Sequence, residues 1–511
     1  MEFRLLLILQ CALFLNACAS LTQFPSQQPD KYQSNESLSC AKLFVNLEKS
    51  VSTNGVRDSE TARITDFPYL RINRFLSDFR NDPMGNNAFN AWVDHMQDLA
   101  MQGWQIEITN LPALDRKKLA LEANDISDKN ISLNETLNYC GNLLRAIDLD
   151  EENERATLKT KTIVPDEYKT WQRVVGLYPI TALAFRSGIV RWHEETSKIF
   201  AQSLDSLPVH GELIRYTPSL NSPLLSSDKI SQIIKISSKN ALGIPELSID
   251  DKQKLFSNFA PIFEIDTVTN DDRIGTLAWD DNNIPLARTD LNTVYRHLSY
   301  TRIHDQILLQ LNYTIWFPSR PKTSDFDMLG GHLDGITWRV TLLPDGSPLL
   351  FDTIHNCGCY HLFFPTQHAK ILAQEKSFEE PVFVPQVLSL FSTKRPVIRI
   401  AYGSHYIERV YFGDTASHKV RSYQFADSNE PRSLKLKTDE YRSVFGQDGI
   451  IQSSQRGERY IFWPMGIPSP GAMRQWGHHA IAFVGKRYFD DPFLLNKFFS
   501  PVKKSGDNIN F

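Results

Sequence analysis

Two hydrophobic periodicities divide the chain. Across residues 38–205 apolar residues recur every three or four positions, most clearly in 38–51, and this spacing predicts amphipathic helices. Further along, apolar and polar residues alternate, and residues 309–317 place Leu, Leu, Tyr, Ile and Phe on one side and mostly polar residues on the other. Such alternation predicts a half-buried β-strand. We therefore predict an α+β fold, with an α-helical domain over 38–205 followed by a β-rich, mainly antiparallel domain over 206–511.

Capping and turn residues place several elements within these regions. The run from Ser132 to Glu135 (SLNE) is a capping box, in which the serine and glutamate satisfy exposed amides at the start of a helix. Residues 168–202 have a helical pattern that a proline interrupts. Pro-Asp-Gly at 344–346 predicts the turn of a hairpin between strands over 336–342 and 349–354. One further helix is predicted over 88–101, and further strands over 397–402, 406–412, 420–425 and 480–484.

The first eighteen residues carry an export signal. Arg4 precedes an apolar run of eleven residues, Leu5 to Leu15, and small residues follow around Cys18. Eleven helical residues extend only about 16 Å, roughly half of the hydrocarbon core of a bilayer, so this run is too short for a stable membrane span. It predicts a secretory signal peptide over residues 1–17.

The end of this signal, LNAC at residues 15–18, resembles the lipobox of bacterial lipoproteins. The resemblance implies that Cys18 becomes the acylated first residue of the mature chain, with palmitate among its acyl chains. Several chains, at roughly 0.8 kcal/mol per buried methylene, form a firm membrane anchor. Ala19, in place of an aspartate, implies an outer membrane destination, and we expect the body of the protein to face the periplasm. Residues 18–37 are rich in Ser, Gln and Pro, which predicts a flexible tether; plain secretion is the alternative.

Charge and motif content restrict the expected partners beyond that membrane. The chain has 55 Lys and Arg against 59 Asp and Glu, a net charge of −4, and no basic stripe, so nucleic acid is not expected. Neither a Walker loop nor a dinucleotide-binding glycine string occurs, so nucleotides are not expected either. An envelope peptide, a glycan or another protein remains. The tryptophans that are candidates for a glycan groove, or else for core positions, are Trp316, Trp338, Trp463 and Trp476.

Two cysteines of the predicted helical domain are candidates for a disulfide. Cys40 and Cys140 both lie on predicted helices. A bridge between them would close a loop of about 100 residues and stabilise the fold by at most roughly 4.7 kcal/mol in the chain-entropy model. Export to an oxidising compartment would let the bridge persist. Two buried thiols are the alternative.

The densest group of potential ligands is HNCGCYH at residues 355–361. Its ligands stand at two-residue spacing, and on a straight strand the outermost would lie about 20 Å apart at 3.3 Å per residue. Only a neighbouring pair could chelate one ion unless Gly358 turns the chain. Imidazole with thiolate favours zinc or copper. The candidate metal ligands of the segment are His355, Cys357, Cys359 and His361. Candidates elsewhere in the chain are His332, Asp334, His405, His478 and His479.

Cys357 and Cys359 also allow a redox interpretation. In an extended strand their α-carbons would lie about 6.6 Å apart, near the upper limit for a disulfide, so a bridge would be strained and readily reduced. A turn at Gly358 would relax it. The segment therefore predicts a metal-binding or a thiol-redox centre in a lipid-anchored cell-envelope protein, whose activity the sequence does not otherwise define.

A further interpretation makes Cys359 a nucleophile. CGCY at 357–360 is similar to the papain-like signature C-G-[SA]-C-[WY] with one residue deleted, and the segment around His479 resembles the strand that carries that family's histidine. The resemblance implies a thiol hydrolase in which His479 activates Cys359 and Asn496 or Asp490 orients the imidazole. The remaining alternative is a non-catalytic envelope scaffold or binding module, in which the two cysteines only staple a turn.

Overall fold

The computed structural model describes residues 31–126, 131–219, 224–374, 378–390, 394–413 and 419–502. The predicted signal peptide and the predicted lipidation site at Cys18 lie outside the described residues. Within the part of the chain that is described, no helix combines the length and the apolar character needed to cross a bilayer.

Helices dominate the N-terminal part of the described chain. They and the later helices are α1 (Asn35–Asn54), α2 (Arg74–Asp78), α3 (Asn86–Asn110), α4 (Ala113–Ile126), α5 (Leu133–Asp148), α6 (Glu152–Lys161), α7 (Thr170–Val175), α8 (Tyr178–Ala201), α9 (Ser227–Ser237), α10 (Ile249–Asn258) and α11 (Arg459–Phe462). Helix α1 ends at Gly55, whose φ of 66° forms the left-handed cap that glycine favours. The predicted capping box is present at the start of α5, where Ser132 and Glu135 bond each other's backbone amides.

The predicted helix over 168–202 is two helices. Helix α7 ends before Gly176, and α8 begins after Leu177, which adopts a left-handed φ of 50°. Pro179 lies in the first turn of α8, where its missing N–H costs no helical hydrogen bond. The proline therefore starts the second helix, and the interruption falls just before it.

Most of the strands follow the helices. They are β1 (Ala62–Ile64), β2 (Phe67–Ile72), β3 (Glu212–Pro218), β4 (Ile262–Thr267), β5 (Thr276–Trp279), β6 (Pro285–Arg288), β7 (Thr293–Ile303), β8 (Gln306–Arg320), β9 (Gly331–Leu342), β10 (Pro348–His355), β11 (Leu362–Pro365), β12 (Ala369–Ile371), β13 (Pro396–Ile400), β14 (Ile407–Phe412), β15 (Lys419–Asp427), β16 (Leu434–Lys435), β17 (Tyr441–Arg442) and β18 (Phe499–Pro501). The predicted hairpin around Pro-Asp-Gly is β9 and β10. The predicted strand over 480–484 is not formed, and that segment contributes only a bridge between Ala480 and Tyr488.

A ten-stranded sheet organises the C-terminal part, and it is mixed rather than antiparallel. Its order is β11-β10-β9-β8-β7-β15-β3-β4-β13-β14. Strands β7 to β11 form an antiparallel meander, but β15 runs parallel to both of its neighbours, β7 and β3, and β13 runs parallel to β4. The prediction of a mainly antiparallel domain is corrected accordingly. Alternation along one strand determines which side chains share a face, but it does not determine the direction of the neighbouring strand.

The helical layer has its own apolar core, and a disulfide crosslinks two of its helices inside that core. The structure contains the Cys40–Cys140 disulfide, which joins α1 to α5 with 5.1 Å between the α-carbons. Both cysteines are fully buried among the apolar side chains of this layer. Helix α8 departs from the layer and packs on the large sheet, where Phe200 contacts Phe364 with their ring centroids 5.9 Å apart.

The polar side of the large sheet is buried as well as its apolar side. The alternation predicted for β8 is present, but Gln310 and Asn312 on the polar side are both buried, so the strand is not half-buried as predicted. Hydrogen bonds between strands satisfy this face: Gln310 accepts from Ser299 at 3.0 Å and donates to Thr341 at 3.1 Å, and Asn312 donates to Ser299 at 2.9 Å.

Candidate functional site

The predicted ligand segment forms a closed turn at the end of β10. The Gly358 amide donates to the carbonyl oxygen of His355 at 2.7 Å, and the His355 amide donates to the carbonyl oxygen of Cys359 at 3.0 Å. Gly358 has a φ of 92°, and a Cβ atom there would lie 2.7 Å from the carbonyl oxygen of Ala480. Glycine is therefore required on both conformational and steric grounds. The turn at Gly358, which the sequence analysis gave as an alternative to a straight strand, is present.

This turn places two free thiols side by side. Cys357 is only 3% exposed, whereas Cys359 is partly accessible to solvent. A hydrogen bond from the Cys359 thiol lowers the pKa of Cys357, and the positive charge of Arg456 lowers it further against the opposing effect of burial. The same hydrogen bond, together with burial, holds the pKa of Cys359 well above its usual range. The pair is therefore chemically unequal: Cys357 is the better thiolate, and Cys359 is the more exposed residue.

A buried carboxyl group whose charge acts on both thiols has a pKa near neutrality. Glu458 is buried, and this burial raises its pKa to about 7 although Arg456 and Arg320 oppose the shift. Its charge acts on both Cys357 and Cys359. A buried carboxyl with such a pKa can accept or release a proton during chemistry at neutral pH.

A buried aspartate organises the other side of the turn. Asp334 accepts hydrogen bonds from Nδ1 of His405 at 2.8 Å and from Nη2 of Arg456 at 3.2 Å, and Nδ1 of His355 lies 3.6 Å away. Burial alone would raise the pKa of Asp334, but Arg456 and the two imidazoles hold it well below its usual range. The ring of His405 stacks on Phe317 at 3.9 Å between centroids. Asp334 thus stays ionised and fixes the groups around it.

Left-handed backbone conformations concentrate around this centre. Leu333, Tyr360 and His405 have φ values of 56°, 58° and 55°, although none is a glycine. Leu333 immediately precedes Asp334, Tyr360 immediately follows Cys359, and His405 is itself bonded to Asp334. Such conformations cost roughly 1–3 kcal/mol each and are found where the surrounding structure holds a functional geometry.

The four predicted metal ligands are not brought together. His355 turns to Asp334, whereas Nε2 of His361 lies 2.8 Å from Asp352, which also binds Arg339. In the described ranges no group of three or more His, Cys, Asp or Glu side chains is arranged to hold a metal ion. Of the other candidates, Asp334 and His405 lie together with His355, whereas Nε2 of His332 contacts the carbonyl oxygen of Pro285 at 2.5 Å. This donor set does not fit the zinc or copper ion predicted from the sequence.

The residues of the predicted hydrolase form no hydrogen-bonded triad. Nε2 of His479 has no hydrogen-bond partner in the described part of the structure, so the imidazole does not bond the Cys359 thiol through this atom. His479 lines a cavity. Asp490 is paired with Arg74 at 3.0 Å, and Asn496 accepts the backbone amide of His304 at 3.1 Å. Neither predicted orienting group contacts the imidazole of His479.

Several residues of the site were absent from the sequence-based prediction. Arg456 and Glu458 come from a loop about 100 residues after the thiols, and Tyr360 has no motif that marks its conformation. Asp334 and His405 were recognisable only as possible ligands. Their pairing depends on strands β9 and β14 lying at distant positions of the same curled sheet, and no local pattern reports this.

Comparison with known proteins identified no relative. No protein-family model, curated protein or solved structure matches this chain. The function proposed below therefore depends on the geometry of the site.

Proposed function

We propose that this chain is an outer-membrane lipoprotein whose Cys357–Cys359 pair is a thiol-redox centre facing the periplasm. The observation that carries the proposal is a pair of free cysteines on one glycine-dependent turn, of which Cys357 is buried and Cys359 is partly exposed, with pKa values shifted in opposite directions. The lipobox resemblance at residues 15–18 supports the compartment, and the Cys40–Cys140 disulfide is compatible with it.

The two sulfurs have different roles in this proposal. Attack on a disulfide requires access to one sulfur, and the partly exposed Cys359 offers it. The other sulfur leaves as a thiolate, and a leaving thiol departs faster when its pKa is low. In the reduced pair the hydrogen bond from the Cys359 thiol and, after it, the positive charge of Arg456 lower the pKa of Cys357, so we assign Cys357 as the leaving sulfur.

The reaction is thiol–disulfide exchange with a dithiol of the envelope. A substrate thiolate attacks the Cys359 sulfur of the oxidised pair; a mixed disulfide forms, the Cys357–Cys359 bond breaks, and its electron pair leaves on Cys357. The second substrate thiolate then attacks the substrate sulfur of the mixed disulfide and releases Cys359. Two electrons and two protons pass from the substrate dithiol to the pair, and a disulfide of a small thiol or another protein restores the oxidised form.

We assign the proton balance of this exchange to Glu458, whose charge acts on both thiols. With its pKa raised to about 7 by burial, its carboxyl can protonate the departing Cys357 thiolate and take the proton back on reoxidation. Asp334 cannot do this because its pKa is held well below the usual range. The two carboxyl groups therefore divide between proton transfer and positioning.

Two cysteine variants of the full chain test the assignment of roles. After incubation with a reduced dithiol peptide and a glutathione disulfide buffer, Cys357→Ser is expected to accumulate a mixed disulfide at Cys359, detectable by mass. The matched Cys359→Ser variant is expected to accumulate little, because its remaining sulfur is buried. The wild-type pair is expected to titrate as a two-electron couple between about −270 and −120 mV, the range of exchange-active proteins.

Other outcomes would contradict the proposal. Equal trapping by both variants would remove the assigned asymmetry, and a potential below about −300 mV would indicate a structural disulfide and favour the scaffold alternative. A stoichiometric transition metal in the purified chain would favour a metal centre instead. An N-terminus that is not acylated at Cys18, measured by mass spectrometry, would remove the proposed anchor without affecting the redox test.

A further inference from the structure

A small recess behind the thiol turn is lined by two buried residues that each have a side-chain nitrogen without a partner. Nε2 of His479 and Nη1 of Arg474 have no hydrogen-bond partner among the described residues, and the two side chains lining the recess belong to residues only 5% and 2% exposed. Buried polar atoms normally have partners, and leaving one without a partner costs about 1–3 kcal/mol. These two nitrogens are therefore available to form hydrogen bonds with a ligand.

The two nitrogens have opposite hydrogen-bonding roles. The backbone of Asn356 acts on the imidazole of His479, and because Nε2 is the unpartnered atom, we assign this interaction to Nδ1. Burial lowers the pKa of His479 to about 3, so the ring is neutral, with its proton on Nδ1 and an acceptor lone pair on Nε2. Arg474 can only donate. A ligand group must therefore donate to His479 and accept from Arg474.

The recess adjoins a larger cleft between the helical layer and the sheet. It has a volume of about 50 Å³, the cleft has about 320 Å³, and the two share Glu60, His297, Ser428 and Trp476 in their walls. One enclosed water needs only about 10–15 Å³ by the same measure, so the recess can admit a group of a few heavy atoms. The larger volume is within the range of small-molecule sites, which often lie between domains.

We propose that the recess and the cleft together form a binding site for a glycan of N-acetylated amino sugars. The secondary amide of an acetamido group matches the recess, because its N–H donates to Nε2 of His479 while its carbonyl oxygen accepts from Nη1 of Arg474. The sugar rings then occupy the cleft. This site is separate from the thiol-redox centre, and its existence does not depend on the redox proposal.

The walls of the cleft favour a neutral polar ligand over a charged peptide. Several of the charged groups are already neutralised in pairs: Arg74 binds Asp490 at 3.0 Å, and Lys252 lies 3.7 Å from Asp427. Neutral polar groups and aromatic rings make up much of the remainder, as sugar binding requires. Examples are Asn73, Gln102, Ser299, Asn429, Tyr300 and Trp476.

Binding to the full chain in detergent micelles tests the site by calorimetry. The probes are a β-1,4-linked trimer of N-acetylglucosamine, the corresponding glucose trimer without acetamido groups, and an N-acetylated alanine tripeptide. We expect the acetylated trimer to bind at least about tenfold more tightly than the glucose trimer, since one unmatched buried hydrogen bond corresponds to about that factor. His479→Asn keeps a donor for the Asn356 carbonyl and removes the Nε2 acceptor, so it should abolish this preference.

A matched substitution controls for the loss of a histidine. His304 is exposed and has a left-handed φ of 54°, which asparagine tolerates, so His304→Asn should bind like the wild type. Equal affinity of the wild type for the two trimers, or no binding of either at millimolar concentration, would overturn the proposal even if His479→Asn failed to fold. Tighter binding of the tripeptide would also overturn it and assign the recess to a peptide amide.

Discussion

The Nε atom of Arg474 donates a hydrogen bond of 3.1 Å to the carbonyl oxygen of Cys357, while its Nη1 atom has no partner and the residue lines the recess. One side chain therefore contacts both the thiol turn and the proposed glycan site. The backbone amide of Arg474 also donates to the carbonyl oxygen of Asn356 at 2.9 Å, so the turn and this wall of the recess are joined at two points. A conformational change in the thiol turn is therefore expected to alter the geometry of the recess.

Oxidation of the thiol pair should change glycan affinity through this connection. Closing a bond between Cys357 and Cys359 constrains the backbone to which Arg474 is bound. We expect the affinity for the acetylated trimer to differ by about fivefold or more between oxidised and reduced protein, the lower end of typical coupling between sites. Calorimetry on both forms measures it. A chain with both cysteines replaced by serine should show no response to the reductant; a response there would disprove the connection.

Replacing Gly358 by alanine should destabilise the protein. The φ of 92° and the close approach to the carbonyl oxygen of Ala480 together make a loss of at least about 2 kcal/mol in the free energy of unfolding. Denaturant titration measures this loss. Gly188→Ala is the matched control, since Gly188 lies in α8 with open space around it, and alanine there should stabilise the helix by up to about 1 kcal/mol. Equal effects at the two glycines would contradict the geometry of the turn.

Glu458 should make the protein less stable as the pH rises toward neutrality. Its pKa is raised from 4.5 to about 7, so between these values the unfolded chain releases a proton that the folded chain keeps. Stability attributable to this group is complete below pH 4.5 and is lost as the pH passes 7, by about 3 kcal/mol in total. Unfolding of wild type and Glu458→Gln across this range measures it. The glutamine variant should have the smaller loss; parallel curves would refute the assignment.

Replacing Asp334 by a neutral residue should strongly destabilise the protein, because it leaves buried cations without their counter-charge. In Asp334→Asn the guanidinium of Arg456 loses its carboxylate partner in the interior, and we expect a loss of about 3–5 kcal/mol in the free energy of unfolding. Thermal unfolding gives the measurement. The exposed Asp325 provides the control, and Asp325→Asn should change stability by less than about 0.5 kcal/mol. A mild effect at Asp334 would mean that the charges of the cluster are hydrated.

The disulfide of the helical layer should contribute to stability independently of the thiol pair. Replacing both Cys40 and Cys140 by alanine is expected to lower the free energy of unfolding by about 2–5 kcal/mol. Replacing Cys357 and Cys359 by serine is the comparison and should cost clearly less, because those thiols are not bridged in this structure. A larger loss from the second pair would instead favour a structural role for it.

Periodicity and local chemistry in the sequence determined much of the secondary structure. The helical spacing, the capping box at Ser132, the alternation in β8 and the Pro-Asp-Gly turn all correspond to elements of the structure, because each depends on neighbours within a few residues. The dense Cys/His segment also marked the turn that carries Cys357 and Cys359. The signal peptide and the acylation of Cys18 stay predictions of the sequence.

Only the tertiary structure decided which of these residues act together. The parallel placement of β15, the burial of the polar face of the sheet, and the separation of His355 from His361 all result from contacts between distant segments. The same is true of the approach of Arg456 and Glu458 to the thiols. Burial and long-range pairing set pKa values and leave particular atoms without partners, and both effects depend on the enclosing structure, which no short stretch of sequence encodes.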